Sequence, residues 1–308
     1  MKPRHDLSRR DLLTTGLYAG LLTAAPVPLF TRKVFAAGDS EIIVLSDGHL
    51  VLPLSYSFPM NTAEELAPLV ASGSETPTQI EPACNITLFR TSDRLVLFDV
   101  GAGAHFMPTA GKLGESLEVA GIDPSDVTDV VFTHAHPDHL WGLVDDFDEE
   151  VFTEAAYHIN RAEWDYWTDP GTVDTIGEER KSFAVGAASR LERIGEKITR
   201  FEAGGEVVAG IESVPTYGHT PGHTSFVIHQ GSNATMVTGD AVTHAEISFR
   251  HPEWLSGADQ DPDTAIATRK TLLDRLAADD MAIIGYHLPD PGRGHVEADG
   301  SAYRFVAG

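Results

Sequence analysis

Short apolar runs recur along the chain, rich in Val, Ile and Phe, with Gly, Asp or Pro at their borders. Runs of this length and composition are typical of β-strands. They predict strands at residues 42–46, 85–90, 95–100, 129–133, 156–159, 213–216, 225–228, 235–238 and 281–285. Strands therefore provide the framework of this chain, and other elements lie between them.

Apolar residues at helical spacing lie between these runs and predict helices at residues 63–71, 112–120, 178–194 and 263–278. Gly121 closes the second helix, and Asp263 is a suitable N-cap for the last one. From residue 41 onward no stretch is long enough to link two domains. The alternation predicts a single-domain mixed α/β (α+β) fold with sheet-on-sheet layers.

The charge of the chain limits its partners. The net charge is −24, and the first 36 residues carry six basic against two acidic residues, which leaves −28 for the remainder. A surface this negative repels nucleic acid and anionic lipid, so we expect no nucleic-acid partner. Cys84 is the only cysteine, so no internal disulfide forms; beside a predicted strand it is expected in the core, without a catalytic role. The oligomeric state cannot be deduced from the sequence.

The N-terminal segment resembles an export signal. Ser8-Arg9-Arg10-Asp11-Leu12-Leu13 is similar to a twin-arginine motif, and the apolar stretch 12–30 is interrupted by two prolines. Small side chains at Val34 and Ala36 predict cleavage after Ala36, which makes residues 1–36 a signal peptide and 37–308 the mature domain. We expect transfer by the twin-arginine machinery to the periplasm or beyond, without stable membrane insertion. The alternative is an uncleaved membrane anchor.

The run His134-Ala135-His136-Pro137-Asp138-His139 follows the fourth predicted strand and carries the strongest chemical signal. Imidazole and carboxylate are ligands of Zn, Fe or Mn. On a helix, side chains at positions i and i+2 point about 200° away from each other. His134 and His136 can therefore bind one ion only if they lie in a loop. Asp138 and His139 would then face a second ion. The alternative is an exposed histidine-rich turn.

Further ligands must come from elsewhere, because a zinc site needs at least three protein ligands. Candidates follow three other predicted strands: His219 in the run 217–223, Asp240 after Gly239, and His287 after residues 283–286. Each is a metal-ligand residue directly after a short apolar strand. Strand ends that meet at one edge of a sheet would assemble these residues into a distributed site.

The HxHxDH run, the later GHTPGH, the Gly-Asp pair and the final histidine occur in the order that resembles the metallo-β-lactamase superfamily. The resemblance covers nearly all of the chain from residue 41 onward, and it implies a four-layer αββα sandwich with its site at the sheet edges. It also implies two metal ions. The first would be bound by His134, His136 and His219, and the second by Asp138, His139 and His287. Asp240 would bridge the two ions. His223, the second histidine of GHTPGH, would support the site from outside.

This ligand set predicts activation of water. His and Asp suit Zn, Mn, Fe and Co alike, and two zinc ions are the expected cofactors. Two ions about 3.5–4 Å apart share a hydroxide and lower the pKa of water toward about 7. That hydroxide would attack a carbonyl or phosphoryl centre, while Asp138 orients it and takes up a proton. No Gly-x-Ser-x-Gly turn is present, so no serine nucleophile is expected.

Segments of the C-terminal third resemble the methyl parathion hydrolase and lactonase branch of the superfamily: 249–254, 261–269 and 287–295. Asp290 stands where that branch has an aromatic residue, which argues against an aryl phosphotriester. Candidate pocket residues are Phe106, Trp164, Trp167 and Phe249, with plain core packing as the alternative. His244, His251 and His295 are expected at the surface or in support of the site.

The sequence thus predicts a metal-dependent hydrolase of a small lactone, carboxylic ester or phosphotriester. One alternative is a periplasmic β-lactamase, which would open the ring of a cephalosporin. Another is a mononuclear iron protein that binds metal or performs redox chemistry without hydrolysis. Metal analysis would separate the last alternative from the others.

Overall fold

The computed structural model describes residues 33–70 and 77–308. Its strands are β1 (Lys33–Ala37), β2 (Ser40–His49), β3 (Leu52–Pro53), β4 (Gln79–Ile80), β5 (Ala83–Arg90), β6 (Leu95–Phe98), β7 (Asp129–Val131), β8 (Ala156–Asn160), β9 (Ile198–Phe201), β10 (Glu206–Val208), β11 (Ile211–Pro215), β12 (Thr224–Gln230), β13 (Asn233–Val237), β14 (Ala282–Ile284), β15 (Arg293–Asp299) and β16 (Ala302–Ala307). Its helices are α1 (Leu54–Ser57), α2 (Ala63–Val70), α3 (Leu113–Ala120), α4 (Pro137–Leu140), α5 (Arg161–Thr168), α6 (Thr172–Thr175), α7 (Lys181–Arg193), α8 (Ile247–Arg250) and α9 (Pro262–Asp279). Single 3₁₀ turns occur at Pro124–Asp126, Trp141–Leu143, Glu178–Arg180 and Gly239–Ala241.

The described strands form two large sheets and one short ribbon. The first sheet has the order β1-β2-β5-β6-β7-β8-β9, the second runs from β10 to β16 in chain order, and β3 pairs with β4. Strands β6 to β9 are parallel to one another, as are β13 and β14. Because neighbouring parallel strands end at the same edge of a sheet, the loops that follow β13 and β14 leave the second sheet on the same side.

Strand β2 shows how the layers are built, because its residues alternate between two cores. Ile42 and Val44 belong to the cluster between the sheets, together with Phe226 of β12. Ile43 and Leu45 face the other way, into a cluster that includes residues of α3, α5 and α7. A third cluster joins the second sheet to α8 and α9. The predicted single-domain αββα sandwich is therefore confirmed.

All nine predicted strands coincide with observed ones, in order β2, β5, β6, β7, β8, β11, β12, β13 and β14. The predicted helices coincide with α2, α3, α7 and α9, although residue 71 lies outside the described residues. Gly121 closes α3 with a φ of 68°. The N-cap at Asp263 is wrong: Asp261 accepts from the Thr264 N–H at 3.2 Å. Pro262, which favours the first turn, begins the helix earlier.

The predicted export motif and the apolar stretch 12–30 lie outside the described residues, so the signal peptide stays a prediction. Cleavage after Ala36 would fall inside β1, whose pairing with β2 extends from Lys33↔Val44 to Ala37↔Ser40. Within residues 33–70 and 77–308, no helix combines the length and apolar character needed to cross a membrane.

Candidate metal centre

Each predicted metal ligand lies in a loop or turn that leaves the end of a strand. The run that starts at His134 follows β7, His219 follows β11, Asp240 follows β13 and His287 follows β14. The structure brings the whole predicted set together, and each member is at most 7% exposed: His134, His136, Asp138, His139, His219, Asp240 and His287.

The first three histidines face one another at short range. Nδ1 of His136 lies 3.0 Å from Nε2 of His134 and 2.9 Å from Nε2 of His219. Burial, together with the neighbouring imidazoles, lowers the pKa of His134 and His136 well below its usual value. Both rings are therefore neutral, which is the form of histidine that binds metal ions.

The remaining ligands form an adjoining group. Nε2 of His287 lies 3.2 Å from Oδ2 of Asp138, and Nε2 of His139 lies 3.4 Å from the same oxygen. Asp240 reaches both groups: Oδ1 is 3.3 Å from His139, and Oδ2 is 3.3 Å from both His219 and His287. Asp240 is thus the side chain that joins the two groups.

The carboxylates and imidazoles of the second group shift the pKa values of one another. Burial raises the pKa of Asp138 and of Asp240, but His139 and His287 outweigh it and hold both below the usual value. In turn, burial lowers the pKa of His139 and of His287, but the carboxylates outweigh it and raise both well above the usual value. Two ionised carboxylates in a buried site need cations nearby.

The donor set fits divalent metal ions. Oδ2 of Asp138, Oδ1 of Asp240 and Nε2 of His139 are buried and have no hydrogen-bond partner among the described residues. Such orphaned polar atoms are costly unless something else binds them. Ligands about 2.0–2.1 Å from a tetrahedral zinc ion stand about 3.3 Å apart, and the observed separations of 2.9 to 3.4 Å are close to that spacing.

A glycine lets Asp240 approach the histidines. Gly239 has a φ of 51°, and a Cβ there would lie 2.7 Å from Nε2 of His223. That Nε2 accepts the N–H of Asp240 at 2.9 Å, while Nδ1 of His223 lies 3.1 Å from the carbonyl oxygen of Thr216. His223 therefore holds the backbone of Asp240 through its side chain.

Three ligand histidines are held through their second ring nitrogen. Asp99 lies 2.8 Å from Nδ1 of His139, and Asp259 lies 2.9 Å from Nδ1 of His219. Nδ1 of His287 lies 2.8 Å from the carbonyl oxygen of Ala83. Such contacts fix the tautomer, so that Nε2 points its lone pair into the site. Sequence reasoning did not find Asp99 or Asp259, because each lies 40 positions from its histidine.

A buried arginine extends one of these contacts. Nη2 of Arg269 donates to Oδ2 of Asp259 at 2.9 Å, and Nε donates to the carbonyl oxygen of Ala241 at 3.3 Å. Nη1 donates to the carbonyl oxygens of Pro252 and Trp254. Arg269 therefore ties the residue behind His219 to the residue after Asp240.

Glu163 joins two of the ligand loops from below. Its carboxylate accepts the N–H groups of Ala135 and Gly222, each at 2.9 Å, and the hydroxyl of Thr220 at 2.7 Å. It also accepts the indole N–H of Trp167 at 2.6 Å. The position was missed because α5 was not predicted; a glutamate between apolar residues of a helix is the signal that could have indicated it.

Cys84 lies closer to the site than the sequence suggested. Its sulfur, an Asp138 oxygen and a His287 nitrogen lie within 4.8 Å of one another. The side chain is fully buried in the core, as expected, and burial raises the pKa of its thiol to about 12. Cys84 is therefore a neutral thiol packed behind the second group of ligands.

A cavity of about 420 Å³ opens onto the metal ligands. Its walls are mainly apolar, and the side chains that supply them include Leu50, Leu52, Phe58, Ile80, Phe106 and Phe183. Asp138 and Asp240 reach its floor, and Arg180 lines it. A cavity of this size and polarity suits a small, largely apolar molecule.

Three of the four aromatic residues predicted for the pocket lie elsewhere. Phe106 lines the cavity. Trp164 is packed in the core beneath the Arg200 guanidinium, 3.8 Å from the ring centroid. Trp167 is only 1% exposed and donates its indole N–H to Glu163. Phe249 packs on Phe305 between α8 and the second sheet. The placement of these three in the pocket is therefore corrected to core packing.

The additional histidines are not among the ligands. Nδ1 of His244 accepts the N–H groups of Glu246 and Ile247, which caps the start of α8. His251 stacks on Trp254, with ring centroids 4.0 Å apart. Nδ1 of His295 lies 3.4 Å from a carboxylate oxygen of Asp280.

Solved structures with similar folds include metal-dependent enzymes. The chain is 28% identical to AidC, described as a dizinc quorum-quenching lactonase in complex with the product N-hexanoyl-L-homoserine, with a TM-score of 0.85 over 91% of this chain and 98% of AidC. It is 26% identical to AbOPH, a hydrolase in the β-lactamase superfamily, with a TM-score of 0.83 over the same shares of the two chains.

Curated relatives match shorter parts of the chain. A protein of Mycobacterium tuberculosis described as a probable metallo-hydrolase is 26% identical over 198 residues, which are 52% of this chain and 57% of that protein. AttM, an N-acyl homoserine lactonase of Agrobacterium fabrum, is 27% identical over 41% of this chain and 46% of AttM. The chain thus spans about half the length of these relatives.

The family model described as the metallo-beta-lactamase superfamily matches residues 80–287. This match covers more than half of the chain and includes every predicted ligand from His134 to His287. The chain therefore belongs to the metallo-β-lactamase superfamily.

Proposed function

We propose that this protein is a dinuclear metal-dependent hydrolase that opens lactones. The observation that carries the proposal is the position of Asp240, whose two oxygens reach both groups of buried ligands beside an apolar cavity. Similarity to a dizinc lactonase over nearly its whole length supports the same reaction. The curated relatives described as a metallo-hydrolase and as a lactonase also support it.

Two ions are proposed because the donors divide into two groups. His134, His136 and His219 form one group of closely spaced imidazoles. The other group contains Asp138, His139 and His287, and Asp240 lies 3.3 Å from both of its histidines, the same distance as from His219 of the first group. An ion at the first group alone would leave Oδ2 of Asp138 and Nε2 of His139 buried without a ligand, although neither has a hydrogen-bond partner among the described residues. Zinc is proposed because nitrogen donors with carboxylates in a closely spaced set are its usual ligands.

The chain's own residues position the reaction. The bound ions would supply Lewis acidity and a nucleophilic water at neutral pH. Asp138 lines the floor of the cavity, so its carboxylate reaches the reacting centre and takes up the proton that the attacking water loses. The apolar walls exclude bulk water and hold the uncharged part of the substrate. Asp99 and Asp259 hold the ligand histidines in place throughout.

The test is a panel of four substrates on zinc-loaded protein: N-hexanoyl-homoserine lactone, an aryl acetate, a phosphotriester and a coloured cephalosporin. We expect lactone opening to be the fastest reaction, to stop after chelation and to return with zinc. Asp138→Asn should abolish it without unfolding the protein. Asp126→Asn, an exposed carboxylate in a 3₁₀ turn, is the control and should retain full activity. Faster cephalosporin cleavage, or full activity in Asp138→Asn, would refute the assignment.

We further propose that the protein is exported by the twin-arginine pathway, on the basis of Arg9-Arg10 and the apolar stretch that follows. That pathway transfers folded proteins, which suits a metal site loaded before export. Replacement of both arginines by lysine should retain the protein in the cytoplasm. Unchanged export of that variant in a cell-fractionation assay would contradict the proposal.

A further inference from the structure

The apolar cavity contains one polar wall, which the reaction itself does not use. Arg180 is the only lysine or arginine among the described residues that line the cavity. It lies at the end of the 3₁₀ turn Glu178–Arg180, directly before α7. In a chain with a net charge of −24, a half-buried cation that faces an apolar cavity needs an explanation.

The guanidinium of Arg180 is held in place by two contacts. It donates to the carbonyl oxygen of Gly257 and forms a hydrogen bond with the Tyr56 hydroxyl. Tyr56, which lies in α1, lines the same cavity. A guanidinium has five N–H donors in a rigid fork, so these two contacts leave donors for a ligand.

Arg180 lies on the same cavity as the predicted metal ligands. Arg180, His136 and Asp138 all line the one cavity. A molecule that has its reacting group at Asp138 can therefore present a second polar group to Arg180.

The surroundings of Arg180 favour an uncharged oxygen as that second group. Glu179, the next residue, also lines the cavity and would repel a substrate carboxylate. The apolar side chains nearby, Phe106 and Phe183, suit a hydrocarbon tail. An N-acyl lactone has all three groups: a ring that reacts at Asp138, an uncharged amide oxygen for Arg180, and a hydrocarbon tail for the apolar side chains.

We propose that Arg180, oriented by Tyr56, is a binding residue for the amide carbonyl oxygen of N-acyl lactones. This inference rests on the proposed lactonase function and adds the substrate class. It predicts selection for lactones that carry an acylamino group over lactones with a plain alkyl chain. Arg180 then acts in binding, and its loss should raise KM rather than lower kcat.

The experiment compares two γ-lactones that differ by the amide: N-hexanoyl-homoserine lactone and γ-decalactone. In Arg180→Gln we expect KM for the acylamino lactone to rise about tenfold with kcat within about twofold, and KM for γ-decalactone to change by less than about twofold. Arg180→Lys keeps the charge but loses the fork, and should give an intermediate KM. The matched control is Lys181→Gln, since Lys181 pairs with Glu178 outside the cavity.

The outcomes separate this inference from the proposed function. Equal effects of Arg180→Gln on both lactones, or no effect on either, would overturn the role of Arg180 while lactone opening by the unaltered protein stands. If the zinc-loaded protein opens neither lactone, the proposed function fails and the inference fails with it. If Arg180→Gln does not fold, as judged by its melting temperature, Arg180→Lys decides by the same comparison.

Discussion

Oδ1 of Asp259 lies 2.9 Å from Nδ1 of His219, and this contact orients the ligand nitrogen on the other side of the ring. Replacement of such a supporting carboxylate typically weakens metal binding about 10- to 100-fold. We expect Asp259→Asn to weaken zinc binding within that range, measured by competition with a chromophoric chelator. Asp299→Asn, at the exposed end of β15, is the control and should bind zinc normally. Equal affinity in the two variants would contradict the role of Asp259.

The partner of Asp259 offers a test of stability. Arg269 is 4% exposed and bonds to Asp259 and three backbone carbonyl groups. Its loss leaves Oδ2 of a buried carboxylate without its cationic partner, so Arg269→Met should lower the free energy of unfolding by about 3–5 kcal/mol. Arg275→Met, on the exposed side of the same helix, should change it by about 0.5 kcal/mol or less. Chemical denaturation of both metal-free variants measures the difference, and similar values would count against the buried network.

His244 predicts a dependence of stability on pH. Burial lowers the pKa of His244 to about 4, and its Nδ1 accepts two backbone N–H groups, which requires the neutral ring. Because the folded pKa is below the unfolded one, the stability is complete above about pH 6.5 and is lost as the pH falls toward 4. The loss amounts to at most about 3 kcal/mol.

The measurement compares metal-free wild type with His244→Asn, whose side-chain oxygen can still cap the turn. Between pH 7 and pH 4, the variant should lose less unfolding free energy than the wild type does. Parallel curves for the two proteins over this range would show that His244 does not cause the dependence.

Measurements of KM and of the free energy of unfolding distinguish the aromatic residue that lines the cavity from one that packs in the core. Phe106 lines the cavity, so Phe106→Ala should raise KM for lactones with an acyl chain, while the free energy of unfolding changes little because the ring is half-exposed. Phe249 is fully buried, so Phe249→Ala should cost about 3–5 kcal/mol of stability. The KM of Phe249→Ala should remain near that of the wild type. A larger KM effect for Phe249 than for Phe106 would reverse this assignment.

The sequence identified the residues that the fold brings together at the candidate metal centre, because their signal is local. His136, Asp240 and His287 each follow a short apolar run, and the strand ends bring such residues to one edge without detailed packing information. The supporting residues have no local signal. Asp99 contacts His139 and Asp259 contacts His219 only in the folded chain, and no periodicity in the sequence indicates either position.

The errors have physical causes as well. Trp164 and Trp167 lie on α5, a helix of eight residues with charged and aromatic residues mixed, which was not predicted. Once that helix forms, the indole N–H of Trp167 donates to Glu163, and the ring is buried in the core. Strand β15 and the edge strand β16 were also missed, because charged residues interrupt both and neither forms a long apolar run.

The most direct test is a zinc titration of metal-free protein, with the opening of N-hexanoyl-homoserine lactone followed by proton release. The arrangement around Asp240 predicts a rate that rises until two equivalents of zinc are bound per chain and then remains constant. Full activity at one equivalent would contradict the two-ion centre. The absence of turnover at every zinc level would contradict the proposal that this protein opens lactones.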